Sequence, residues 1–257
     1  MDMLNNDLIE SIVLCFGAQI GKTEAELNMI GFALHQSKAP VMMVYPTDML
    51  AKFNSEKRVQ PMITNTEPLA NMYNENASSK LELNFNTGNY MVLSGANSPS
   101  SLASRAIKYV FFDEVDKYPV FSGKEANPIK LATERTKTFV DAKHVMVSTP
   151  TVENGNIWTA FKQAHAQKEY YVPCPHCGEY QKLVFKQIKW PDEAKGNKDR
   201  IRDTAYYECA HCKKAIHDKH KMDMLRNGEW RTENEPDCRV RSVGYHLSSL
   251  YSPWIAF

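Results

Sequence analysis

Unbroken apolar blocks alternate with amphipathic stretches over the first part of the chain. Ile12–Phe16, Val41–Tyr45, Tyr109–Phe112 and Val145–Val147 are runs without a polar residue, the pattern of parallel strands covered on both faces. Between the first two, Leu27, Ile30, Gly31 and Leu34 fall at helical spacing, so a helix laid on a sheet is expected there, ended by Pro40. Thr47 or Asp48 is placed to cap a next helix, running through Met49, Phe53 and Lys57 and stopping before Pro61. Leu81–Phe85 and Tyr90–Ser94, separated by Asn86-Thr87-Gly88-Asn89, read as a hairpin, and Ser94–Ser104 as a loop leading to a short helix. The alternation predicts an α/β fold with a mostly parallel sheet.

Candidate chemistry sits at the ends of three of these strands. Gly17-Ala18-Gln19-Ile20-Gly21-Lys22-Thr23 follows the first run and opens the first helix. A glycine-rich turn at a helix start exposes backbone N–H groups to phosphate, with Lys22 reaching β- and γ-phosphates and the Thr23 hydroxyl ligating Mg²⁺. The usual first glycine of such a loop falls on Phe16, and Gly17 comes one residue later, so the match is a variant; an ordinary strand–turn–helix junction is the alternative. Asp113-Glu114 ends the Tyr109–Phe112 run, where Asp113 suits Mg²⁺ and Glu114 suits the base that activates water. Ser148-Thr149-Pro150 ends the next run, so a γ-phosphate contact and a plain Ser-Thr-Pro turn both remain open.

Composition adds little until charge and cysteine are mapped along the chain. The chain has 257 residues and a formal net charge of +1, which excludes nothing by itself. Residues 181–231, however, hold 13 Lys and Arg against 8 Asp and Glu, a modest sign of a polyanionic partner. No apolar run is long enough to cross a bilayer, and Met1–Glu10 has no apolar signal core. Of six cysteines, four form the pairs Cys174-Pro175-His176-Cys177 and Cys209-Ala210-His211-Cys212. Two such turns predict a tetrahedral zinc site, with His176 and His211 outside the ligand set and a hairpin or loop in the long spacer between them. Two disulfides or a redox dithiol are the alternatives, and Cys15 is expected in the core. The zinc turn is expected to stabilise a small loop-rich segment; Lys182, Lys186, Lys189, Lys195, Lys198, Arg200 and Arg202 are its candidate DNA contacts or a solvated surface.

Taken in order, the blocks Gly17–Glu24, Tyr45-Pro46-Thr47-Asp48, Gly95-Ala96-Asn97-Ser98-Pro99, Asp113–Pro119, Ser148–Thr151 and the two cysteine pairs resemble the large subunit of tailed-phage terminases of the lambda type. The resemblance implies a three-layer P-loop nucleoside triphosphatase core of the ASCE type with a small zinc-ribbon-like Cys₄ module. It implies an ATPase motor that drives double-stranded DNA into a prohead with a small terminase subunit and a portal protein, as a homo-oligomeric ring in the host cytoplasm. ATP, Mg²⁺ and Zn²⁺ are the implied cofactors. Carried over, Gly17, Ala18, Gln19, Ile20, Gly21, Lys22, Thr23 and Glu24 hold nucleotide, Thr23 and Asp113 hold Mg²⁺, Glu114 is the base, and Ser148 and Thr149 are the coupling motif. Arg105, or else Arg135, becomes a finger on a neighbouring subunit's ATP.

Two departures stand out. The loop carries no arginine of its own, and about a dozen residues precede it, where relatives have a longer segment that helps hold adenine. The expected division is an ATPase domain over 1–165, a zinc module over 166–232, and a segment over 233–257 leading toward a nuclease domain missing from this chain. Nuclease activity is therefore not expected. A superfamily-two helicase, or an inactive zinc-stabilised DNA-binding remnant, are the rival readings.

Overall fold

The computed structural model describes residues 2–121 and 126–257. An 11-stranded sheet runs through it, and seven neighbouring strands are parallel: Ala166–Pro173, Ser242–Leu247, Ser11–Phe16, Lys143–Ser148, Tyr109–Asp113, Val41–Tyr45 and Tyr90–Gly95, in that spatial order. Antiparallel strands close both ends, Glu229–Thr232 beside Ala166–Pro173 at one, and at the other Glu82–Phe85 beside Tyr90–Gly95 with Tyr73–Asn74 outermost. The apolar runs are continuous because both faces are covered. Ile12, Leu14, Val41 and Met43 pack with Leu27, Ile30, Leu34 and Ile63 on one side, while Val13, Cys15, Met42 and Val44 pack with Leu102, Ala132, Ile157 and Phe161 on the other. Helices thus lie on each face and make three layers. No helix among the described residues is long and apolar enough to cross a membrane.

The first helix after the Ser11–Phe16 strand, Lys22–Phe32, runs on through a wider π turn, Ala33–Ser37, and ends with Lys38 in the left-handed region before Pro40. The second departs from expectation. Thr47 caps Asp48–Asn54 through the Leu50 N–H, but the chain continues through a π turn, Ser55–Val59, into Gln60–Asn65, so Pro61 lies inside the helical run. A proline there lacks the N–H and crowds the carbonyl one turn back, and the wide turn ahead of it relieves that conflict. The hairpin forms as expected, with Gly88 at φ +85 in its turn.

The sheet continues past the boundary expected at residue 165. Ala166–Pro173 and Ser242–Leu247 pair with each other, and the latter pairs with the Ser11–Phe16 strand from Ser11↔Ser242 to Phe16↔Leu247. Their half-polar sequences hid them, because charged Lys168 and Glu169 lie on a partly exposed strand near the sheet end. Residues 174–228 form an insertion that leaves the main run of the sheet after Tyr180–Gln181 pairs back on Val172–Pro173; it has a three-stranded sheet of Ile188–Lys189, Tyr206–Glu208 and Ala215–Ile216, and a helix, Lys198–Thr204, in the spacer between the cysteine pairs.

One carboxylate holds the turn that follows the acidic strand. Asp116 accepts from the Ile157 N–H at 2.8 Å, the Thr151 N–H at 3.0 Å and the Thr151 hydroxyl at 3.2 Å, joining the end of the Lys143–Ser148 strand to the start of the Asn156–Gln163 helix. Charge-assisted bonds of this kind contribute more than neutral ones. Asp116→Ala is expected to lower stability by about 2–3 kcal/mol, read from urea unfolding, and Asp116→Asn by less.

Candidate functional site

The parallel register brings the three candidate strand ends to one edge. Ser11–Phe16 lies beside Lys143–Ser148, which lies beside Tyr109–Asp113, so the loop after Phe16, the residues after Ser148 and the Asp113-Glu114 pair emerge side by side. They border a cavity of about 640 Å³ whose walls include Ala18–Glu24, Glu114, Ser148 and Thr149. Gly21 is the residue before the helix, at φ +81, and no side chain caps that helix. Its first N–H groups are left for an anion, where the helix dipole favours negative charge. Gly17 is required for another reason: its N–H donates to the Leu247 carbonyl at 2.7 Å, and a Cβ there would lie 2.5 Å from the Ser249 nitrogen.

Lys22 is the centre of the arrangement. Its Nζ donates to Thr149 Oγ1 at 2.5 Å and stands 3.4 Å from Glu114 Oε1. Glu114 also pairs with Lys117, and its backbone sits in the left-handed region at φ 56 with its N–H bonded to Val147 O at 2.7 Å. A non-glycine residue at such a φ is strained, and here the main chain is turned so that the side chain meets the loop lysine. Partial burial works to raise the Glu114 carboxyl, but Lys117 and Lys22 outweigh it and hold it below its ordinary value. Ser148 is buried, donates to the Thr149 carbonyl at 3.2 Å and accepts from the Asp116 N–H at 3.4 Å.

Asp113 lies beneath this layer, 7% exposed, with Oδ1 lacking any partner among the described residues. Burial, then the charge of Glu114, pushes its carboxyl up to about 6 against the pull of Lys22. An orphaned carboxylate oxygen and a helix-start threonine hydroxyl are the kind of oxygen donors that Mg²⁺ takes, so the chemistry of Asp113 and Thr23 fits the ion expected there.

Three residues of this region carried no recognised signal in the sequence. Glu26, fully buried on the first helix, has neither side-chain oxygen bonded, and burial followed by the charge of Asp113 drives its carboxyl well above the ordinary range. It stands one turn before Ile30 on the covered face, so a charge inside the apolar stripe was the clue available. Arg58 reaches the same cavity from the Ser55–Val59 turn and pairs with Glu24. Trp254 lines it from the chain that follows Ser242–Leu247. The two arginines singled out in the sequence are not among the cavity walls: Arg105 is bound to Glu82 at 2.6 and 2.8 Å, and Arg135 Nη1 donates to Ala103 O at 3.2 Å.

The cysteine pairs converge as well. All four sulfurs lie within 4.8 Å of one another, with Cys174–Cys212 and Cys177–Cys209 each at 3.9 Å and no disulfide. Thiolates about 2.3 Å from a tetrahedral zinc stand about 3.8 Å apart, so the set fits that ion. The two turns share one geometry: Gly178 and Lys213 follow the second cysteines at φ 77 and 62, and their N–H groups bond to Cys174 O and Cys209 O. His176 instead turns its Nε2 to Ala215 O at 2.8 Å. Cys15 is fully buried in its strand, and burial pushes its thiol up to about 12.

Residues 1–230 match the family described as phage terminase large subunit gpA, ATPase domain. The terminase large subunit of Enterobacteria phage P21 is 25% identical over 99% of this chain, and that of Escherichia phage lambda 22% identical over 99%. The chain spans 42% and 43% of those two proteins, respectively. Similar solved structures include the large terminase ATPase domain of Thermus phage P74-26, at 20% identity and TM-score 0.48 over 60% of this chain and 64% of that one. The large terminase of a second thermophilic bacteriophage is another, at 19% identity and TM-score 0.44 over 61% of this chain and 37% of that one. With residues 1–230 matched by that family, the chain belongs to the family of phage terminase large subunit gpA ATPase domains.

Proposed function

We propose that this chain hydrolyses ATP as the motor portion of a DNA-packaging terminase. The observation that carries the reading is the position of Lys22 Nζ, between Thr149 Oγ1 and Glu114 Oε1 at the mouth of an uncapped helix. A triphosphate seated on the Gly17–Thr23 loop would draw Lys22 toward its β- and γ-phosphoryl oxygens. That exchange frees Glu114 Oε1 to accept a proton from an attacking water, while Lys117 keeps the carboxylate oriented and ionised. Thr23 and Asp113 would hold Mg²⁺, which when bound neutralises charge on the phosphoryl oxygens. Thr149, released by Lys22, and Ser148, bonded to the Asp116 turn, are placed to sense the terminal phosphate and pass its loss to the strand end.

The partners follow from the family rather than from any contact in this chain: double-stranded DNA, a small terminase subunit, a portal protein, and neighbouring copies in a ring, in the host cytoplasm. Arg105, engaged with Glu82 on the surface, remains our candidate for a finger on a neighbour's nucleotide, with Arg135 second. We assign zinc to Cys174, Cys177, Cys209 and Cys212, where it would close the small core of Val172, Leu183, Tyr207, Ile216 and Tyr251. Family membership does not favour the helicase or inactive-remnant readings.

Glu114→Gln is expected to lower ATP turnover at least about 100-fold while leaving nucleotide binding in place. Turnover measured with and without long duplex DNA checks this, and DNA-stimulated hydrolysis that survives the substitution would sink the assignment. Metal analysis should find one zinc per chain, and chelation should release four reactive thiols and lower the thermal midpoint; oxidised cysteines would instead give none. Glu26 tests the burial of charge behind the site. Because its folded carboxyl lies above the ordinary 4.5, its contribution to stability is complete below that pH and is lost as pH rises. Metal-free Glu26→Gln should therefore match the wild type at pH 4 and become progressively more stable than it toward pH 8, measured by denaturant unfolding.

A further inference from the structure

The cavity above the loop has a wall that phosphate chemistry does not use. Trp254 lines it together with Gln19–Glu24, the residue is 71% exposed, and its Cη2 lies 3.8 Å from where a Cβ on Gly21 would stand. A large ring resting on a phosphate loop with most of its surface bare offers an unfilled stacking face.

The main chain that carries the ring is tied down on both sides. Before it, Ser252 Oγ donates to the Gln19 carbonyl at 2.7 Å and accepts from the Trp254 N–H at 3.3 Å, which ties the chain to the loop. After it, Lys221 Nζ donates to Ile255 O at 2.5 Å and the Phe257 N–H donates to Asp218 Oδ1 at 2.8 Å, which ties the chain to the cysteine insertion. Tyr251 completes the anchor, its hydroxyl accepting from the Leu183 N–H at 2.9 Å and donating to Tyr170 O at 2.5 Å. Little main-chain ordering therefore remains to be done when a flat ligand arrives.

Topology supplies the direction. Glu114 and Thr149 follow strands on one side of Ser11–Phe16, whereas Trp254 follows Ser242–Leu247 on the other. A nucleotide whose terminal phosphoryl points to Glu114 and Thr149 runs its opposite end away from them. We propose that Trp254 is the stacking platform for the base of the nucleotide whose phosphates the Gly17–Thr23 loop holds. The proposal rests on the reading of that loop as a triphosphate site, and it gives the cysteine insertion a task in positioning the ring. Stacking is tolerant of base identity because every base presents a π face, so Trp254 does not by itself separate ATP from GTP.

The test compares binding of MgATP with that of magnesium tripolyphosphate, which has the phosphates and no base, by calorimetry on the 257-residue chain. Trp254→Ala should weaken MgATP about tenfold and leave tripolyphosphate unchanged, and Trp254→Phe should retain most of the ATP affinity. Tryptophan fluorescence of the wild type should be quenched by MgATP and not by tripolyphosphate, with the quench lost in Trp254→Ala. Equal weakening of both ligands would mean that the tail only props the loop and would overturn the proposal, as would unchanged ATP binding. A wild type that binds tripolyphosphate as tightly as ATP keeps the loop assignment but removes the platform. One that binds neither overturns the loop assignment and the platform together.

Discussion

Parallel pairing of the Ser11–Phe16 strand on both of its edges is the constraint from which the site follows. In a parallel sheet every strand presents its C-terminal end at the same edge, so any chemistry written just after a strand is delivered to one place. The neighbours here are Lys143–Ser148 and Ser242–Leu247. The first brings Thr149 to the loop lysine and, one strand farther on, the Asp113-Glu114 pair; the second brings the main chain of Ser248 and Ser249 against Gly17. Two walls of one cavity are therefore set by two strand pairings, and neither pair of residues is local in sequence.

The charge arrangement in that cavity is asymmetric. Lys22 and Lys117 share Glu114 in the partly open upper layer, where solvent and paired cations keep the carboxylate ionised. Asp113 and Glu26 lie below it with little or no water and unpaired oxygens, and burial pushes both toward the neutral form. Such a layer is unfavourable to the empty protein and favourable to a bound cation, a common arrangement where binding rather than folding is the selected property. Arg58, paired with the exposed Glu24, adds a cation at the rim.

The cysteine insertion is joined to the site by the same tail that flanks the loop. Tyr251 lies in the insertion's core, Ser252 bonds the loop, and Lys221 and Asp218 secure the residues that follow. Order in the insertion and order at the loop are thereby coupled through seven residues, Tyr251–Phe257. A module that looks peripheral in the sequence is mechanically close to the Gly17–Thr23 loop.

The sequence by itself determined the elements whose physics is local. Continuous apolar runs announced the buried parallel strands, Gly21-Lys22-Thr23 announced a helix start suited to phosphate, the hairpin turned at Gly88, and paired cysteines announced turns that bring four sulfurs together. What it concealed was either averaged away by partial exposure or set by distant packing. Ala166–Pro173 alternates poorly because it lies near the end of the sheet, so the boundary expected at residue 165 fell inside the structure. Pro61 was read as a stop, although a π turn lets the helix pass it. Arg58 and Trp254 join the site only through tertiary approach, across 34 residues for the Arg58–Glu24 pair and more than 230 for the Ser252 bond beside Trp254. No periodicity or motif encodes a neighbour at such separations; the fold decides it.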